Sequence, residues 1–112
     1  MTYHVIFHIN DLGKGAVLVR EIRNLQADLG EGLVHIEVLA NSDGVLEFQN
    51  GMAIESEVRS LTGKGVVFAI CANSLSSRGL GPGQLMQPVR LVASGVGELV
   101  RRQEEGFHYL KL

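Results

Sequence analysis

The sequence predicts a single α/β domain of three layers, α/β/α, built on a mainly parallel five-stranded sheet. Short runs rich in Val, Ile and Phe recur along the chain, at Tyr3 to Ile9, Leu33 to Leu39, Gly65 to Cys71 and Val89 to Val92. Between them lie segments whose apolar residues repeat at helical spacing, Leu18, Ile22, Leu25 and Leu29 being the clearest. Breaks rich in Asn, Ser and Gly separate the two kinds of segment. Strands that alternate with helices imply a parallel sheet covered on both faces.

Each element follows from local chemistry. Tyr3 to Ile9 carries apolar residues on both faces and reads as a central strand, broken by Asn10-Asp11. Leu12 to Leu29 reads as a helix closed by Gly30, and Leu33 to Leu39 as the second strand, ending in Ala40-Asn41-Ser42-Asp43-Gly44. Val45, Leu46 and Phe48 form an apolar patch in the connection, about one helical turn long. Ile54, Val58 and Leu61 give the next helix its buried stripe. The third strand runs from Gly65 into Cys71, where Asn73-Ser74 is placed to cap a short helix over Ser74 to Arg78. Gly79 to Gly83 is too rich in glycine and proline for regular structure. Pro88 leads into the fourth strand. A helix follows with Val96, Leu99 and Val100 expected inward, Glu98 in its first turn and Arg101-Arg102 towards its end, a charge order that suits the helix dipole. Phe107 to Leu110 closes the sheet.

Composition narrows the function. With 112 residues, 46% of them hydrophobic, the chain fits one domain over residues 1–112. A net charge of -2 and no basic run beyond Arg101-Arg102 argue against nucleic acid as a partner. The apolar runs are too short to span a bilayer, so no membrane span is expected. No signal peptide is apparent at Met1-Thr2-Tyr3-His4, and a cytoplasmic protein is the expectation. The single cysteine excludes an internal disulfide and a zinc site of cysteines; no metal or cofactor is expected. Gly13-Lys14-Gly15 follows a strand, but Leu18 stands where a dinucleotide fingerprint needs its third glycine, and no phosphate loop is present.

Parallel sheets bind ligands beyond the carboxyl ends of their strands. Those ends here are Asn10-Asp11, Asn41-Ser42, Cys71-Ala72-Asn73 and Ser94-Gly95. Small polar residues also serve simply as turns and caps, but Cys71 adds chemistry. At a helix amino end the oriented amides favour the thiolate, which is the reactive form. Arg78 or a histidine could add a cation, and His8, two residues from the first strand end, is the histidine placed to approach the crevice. His4, His35 and His108 have no expected role.

At Phe7-His8-Ile9-Asn10-Asp11, Glu37-Val38-Leu39-Ala40-Asn41, Cys71-Ala72-Asn73-Ser74-Leu75 with Arg78-Gly79, and Ser94-Gly95-Val96-Gly97-Glu98-Leu99-Val100-Arg101-Arg102-Gln103, the sequence resembles the DsrE/DsrF-like family, in its short, poorly characterised branch. The resemblance implies a three-layer fold with a parallel five-stranded sheet, and homotrimers or homohexamers. It also implies sulfur transfer through a persulfide on the cysteine that ends the third strand, Cys71 here, followed by Arg78-Gly79 as in sulfur-handling members. Asn73 and Ser74 depart from the alanine-rich turn of the sulfur-oxidation proteins.

The expected function is therefore a small sulfur-relay protein, with Cys71 as the sulfur carrier and a donor or acceptor protein as partner. Asn10, Asp11, Asn41, Asn73, Arg78, Ser94, Gly95 and His8 are the expected binding residues. The alternative is a non-enzymatic oligomeric subunit holding a small anion or nucleotide near Cys71. A homo-oligomer is also expected from the residues alone. The 44–48 connection carries three large apolar side chains, and the short outer strands leave edges for a neighbour to cover.

Overall fold

A computed structural model describes all residues, 1–112. The strands are β1 (Tyr3–Ile9), β2 (Val34–Ala40), β3 (Val67–Cys71), β4 (Arg90–Val92) and β5 (His108–Lys111). The helices are α1 (Gly15–Leu29), α2 (Glu55–Gly63), α3 (Ala72–Ser77) and α4 (Gly95–Glu104), with a 3-10 segment at Ser42–Phe48. All four strand pairings are parallel, in the order β4-β3-β2-β1-β5. The expected three-layer α/β/α architecture and parallel five-stranded sheet are present.

The strand order makes the two helical layers unequal. From β1 to β4 the chain steps steadily in one direction, and right-handed crossovers then put α1 and α2 on one face. β5 returns to the far side of β1, so its crossover helix, α4, lies on the other face. The first face holds the main core of 21 buried residues, among them Val5, Phe7, Val38, Phe68 and Ile70 from the sheet and Leu18, Ile22, Val58 and Leu61 from the helices. The α4 face has a core of five, Ile6, Leu39, Ala69, Val92 and Leu99. Full burial of each such side chain stabilises by about 1.5 to 3 kcal/mol, so apolar packing holds the first layer far more strongly than the second.

What binds α4 instead is charge. Glu98 faces the sheet beside Glu37 of β2, and both carboxylates are reached by two arginines. Arg102 Nε lies 2.9 Å from Glu37 and 3.2 Å from Glu98, and Arg90 Nη2 lies 2.6 Å from Glu98 and 3.5 Å from Glu37. This corrects the expected orientation of α4. Leu99 points inward, but Val96 and Val100 are 64% and 61% exposed, because the face carrying Glu98 and Arg102 has turned to the sheet to meet these partners.

The 44–48 connection is also corrected. Val45 and Phe48 are fully buried, Phe48 against Phe68 with ring centroids 5.8 Å apart, and only Leu46 is partly exposed. This segment completes the core under the carboxyl ends of β1 and β2, and is not the surplus apolar surface expected there. Gly44 makes the turn possible, since a Cβ on it would lie 2.2 Å from the Ile9 carbonyl oxygen.

Candidate functional site

Cys71 ends β3 on the α4 face, the same face as Ala69 two residues before it. It is also the first residue of a cap, and its own Sγ does the capping. The Ser74 amide donates to Sγ across 3.4 Å at the start of α3, and the Gly95 amide donates to it across 3.3 Å at the start of α4. Burial pushes the thiol pKa up, but hydrogen bonding from the hydroxyl and amide of Ser74 and from the amides of Gly95 and Asn73 outweighs it, so the net shift is downward. Cys71 is thus a buried thiol, 4% exposed, with its thiolate favoured by backbone donors from two helices.

This changes the roles of two expected residues. Asn73 does not cap α3; its side chain is exposed and makes no hydrogen bond, and its part is played by its amide. Ser74 contributes its amide to the sulfur, while its Oγ accepts the Ser42 amide at 2.8 Å and pins the end of β2 to α3. Arg78 does not reach the sulfur. Its guanidinium bonds Asp43 at 2.8 and 3.0 Å and the Ser74 carbonyl at 3.2 Å, holding α3 against the 3-10 segment.

Gly95 fits this position because it has no side chain. A Cβ there would stand 3.0 Å from Asn41 Cβ, 3.2 Å from Leu39 Cδ1 and 3.3 Å from Cys71 Cβ. Ser94 caps α4, its Oγ accepting the Gly97 amide at 3.2 Å. Asn41, Cys71, Ser94 and Gly95 are therefore brought together. Asn41 carries the group further. Its Oδ1 lies 2.7 Å from His8 Nε2, and His8 Nδ1 lies 2.6 Å from the Tyr109 hydroxyl. Burial lowers the His8 pKa most; the Asn41 bond works against that, and Lys111 adds to the lowering. Asn10 and Asp11 follow β1 at the same edge, but their side chains make no hydrogen bond, and Asp11 is exposed.

Tyr109 is the site residue that sequence reading missed. It lies on the same face as His8 because β5 pairs with β1, with Ile6 opposite Tyr109 and His8 opposite Lys111. That pairing joins the two ends of the chain, and a short strand beginning at His108 does not announce its neighbour. The Glu37, Glu98, Arg90 and Arg102 cluster was missed for a related reason. Alternating charges along a helix read as solvated, yet here they face a glutamate in the middle of a strand.

The comparisons agree with this architecture. The model of the DsrE/DsrF-like family matches residues 12–112, and the chain belongs to that family. Among curated proteins none matches the sequence significantly. The structure of a protein of unknown function, MTH1491 from Methanobacterium thermoautotrophicum, is similar at 40% identity and a TM-score of 0.92, over 98% of this chain and 99% of that one. The ychN protein from E. coli shares the fold at 18% identity, with a TM-score of 0.79 and all of both chains covered. BT1422 from Bacteroides thetaiotaomicron shares it at 14% identity and a TM-score of 0.73, over 97% and 94% of the two chains.

Proposed function

We propose that this member of the DsrE/DsrF-like family is a small sulfur-relay protein in which Cys71 carries a sulfane sulfur as a persulfide and passes it to a partner thiol. The observation that supports this reading is the pair of amides, from Ser74 and Gly95, on one buried sulfur. A thiolate is needed in both half-steps. In uptake, the Cys71 thiolate attacks the outer sulfur of a donor persulfide; the new S–S bond forms as the donor's S–S bond breaks, and the donor leaves as a thiolate. In delivery, an acceptor thiolate attacks the same outer sulfur and Cys71 leaves as a thiolate. The outer sulfur is transferred as S–H in each half-step; between them the carried persulfide releases that proton to solvent and regains it before delivery, and no electrons are gained or lost overall. A lowered pKa makes Cys71 a better leaving group, and with one cysteine in the chain the other thiols must come from other molecules.

The test is the intact mass after incubation with inorganic polysulfide. The protein should gain one sulfur atom, lose it to dithiothreitol, and gain none as Cys71→Ser, which keeps a side chain able to accept the same amides and should remain folded. No gain in the native protein, or the same gain in the serine variant, would reject the reading.

The second reading is an anion held near Cys71 without covalent chemistry, which the unbonded side-chain N–H of Asn41 would suit. It is separated by alkylation of the native protein against pH. A titration at or above about 8.5, or no reaction before denaturation, would favour it.

Two further elements belong to the first reading. A homo-oligomer, expected from the family resemblance as a trimer or hexamer, would find an apolar contact in Val96 and Val100, which α4 presents outward. A cytoplasmic location would keep the lone thiol reduced; no helix is long and apolar enough to cross a membrane.

A further inference from the structure

We propose that Asn41 binds the outer sulfur of the Cys71 persulfide through its side-chain N–H, and that His8 and Tyr109 are positioning residues that hold the Asn41 amide in that orientation. The inference rests on the sulfur-relay reading and adds to it a side-chain donor with two supporting residues.

The argument starts from the oxygen of Asn41. It accepts only, so His8 Nε2, 2.7 Å away, must carry the ring proton that the bond needs. In a neutral ring Nδ1 is then an acceptor, and the group facing it at 2.6 Å is the Tyr109 hydroxyl, which donates. The ring is 8% exposed. Burial and Lys111 both disfavour the imidazolium, so the neutral tautomer is the form this setting maintains. The Tyr109 hydroxyl satisfies Nδ1 in this tautomer and anchors the ring, and with the amide oxygen turned to His8 the other end of the Asn41 amide is left over. That end is an N–H₂ group with no hydrogen bond inside the protein, on a half-buried residue.

Its position makes it relevant to the sulfur. The Cβ atoms of Asn41 and Cys71 both lie within 3.3 Å of the single point where a Gly95 side chain would begin, so the two side chains start close together over one glycine. The backbone amides of Ser74 and Gly95 already engage Sγ. A second sulfur added to Sγ extends beyond them and needs its own donor. A persulfide ionises more readily than a thiol, so the outer atom is anionic near neutral pH, and hydrogen bonds to charged groups are the stronger class.

The experiment compares two rates on the same variants: sulfur uptake from inorganic polysulfide, followed by intact mass, and alkylation of the bare thiol by iodoacetamide across pH. Asn41→Ala should slow uptake by about tenfold or more while leaving the alkylation profile almost unchanged. Tyr109→Phe, which removes one hydroxyl from a 39% exposed residue and should not disturb folding, should slow uptake by about threefold, since the His8 ring loses one of its two anchors. His8→Ala should resemble Asn41→Ala. His8→Gln, which retains an N–H donor for the Asn41 oxygen, should recover most of the loss. Uptake by Asn41→Ala at the native rate, or a parallel fall in both of its rates, would overturn the proposal and leave the sulfur relay standing. Failure of the native protein to take up sulfur would overturn both.

Discussion

The amide of Gly95 points at the sulfur of Cys71 across 3.3 Å, and it does so from a helix that crosses the sheet on the thinly covered face. The seat of α4 and the reactivity of the thiol are thereby one problem. Gly95→Ala would drive a methyl group towards Asn41, Leu39 and Cys71, and the amino end of α4 would have to lift. The expected outcome is a raised Cys71 pKa and alkylation at pH 7 slower by about three- to tenfold, from weakening a hydrogen bond to a charged group. An unchanged rate–pH profile would show that the Gly95 amide contributes nothing.

The Glu37 and Glu98 pair should govern stability in a pH window of its own. Burial raises the Glu37 pKa to about 7, and the hydrogen bond with Glu37, then Arg90 and Arg102, hold Glu98 down at about 2. The pair thus keeps one proton between those limits. For Glu37 the folded value is the higher, so its contribution is complete below the unfolded pKa of about 4.3 and is lost as pH rises towards 7. For Glu98 the folded value is the lower, and its contribution is lost as pH falls from about 4.3 to 2. Glu37→Gln makes the shared hydrogen permanent. Relative to the native protein, it should gain about 1 to 3 kcal/mol of stability between pH 5 and pH 8, read from urea midpoints at the two pH values. A difference that is the same at both would refute the shared proton.

Substitutions at two apolar positions should fail in opposite ways. Phe48 is fully buried, and Phe48→Glu, which empties its site and buries a charge there, should cost about 4 kcal/mol or more and leave the chain largely unfolded. Val100→Glu adds a charge to a residue already 61% exposed and should leave the single chain as stable as before. If α4 is the contact between copies, light scattering coupled to size exclusion should show Val100→Glu reduced to 12.1 kDa from a native multiple of it. A native mass of one chain would sink the assembly itself.

Asn73→Ala should leave the alkylation profile of Cys71 within about twofold of native, because the substitution keeps the backbone amide and removes a side chain that caps nothing. A clear slowing would mean that the Asn73 side chain reaches the sulfur.

The sheet, its parallel sense and the carboxyl edge where Cys71 sits were legible because Val, Ile and Phe runs alternate with helical spacing, and that alternation leaves few topologies. The pairing partners of charged and aromatic residues were not. Tyr109 meets His8, and Arg102 meets Glu37, only because β5 returns beside β1 and carries α4 to the second face. The capping of α3 was misread for a different reason. Asn and Ser are the ordinary caps, whereas here the sulfur itself takes the cap position, and nothing in the spacing of Cys71 to Ser74 distinguishes the two arrangements. Val96 and Val100 followed the helical period, but the period alone does not decide which stripe turns inward when Glu98 and Arg102 have partners below them.

The uneven cover of the sheet also divides the molecule by what loosens it. The α1 and α2 side is fastened mainly by hydrocarbon, with one exposed ion pair, Arg23 to Glu57, between its two helices. The α4 side is fastened largely by four ionised or proton-sharing side chains at its margin, with Arg90 about half exposed. Alkali, which ionises Glu37 beside Glu98, therefore acts first on the α4 layer, so opening of α4 becomes a fluctuation that pH can tune without melting the fold. The lone thiol lies beneath that adjustable layer, buried against the first amide of α4, so its exposure to solvent is tied to the same restraint.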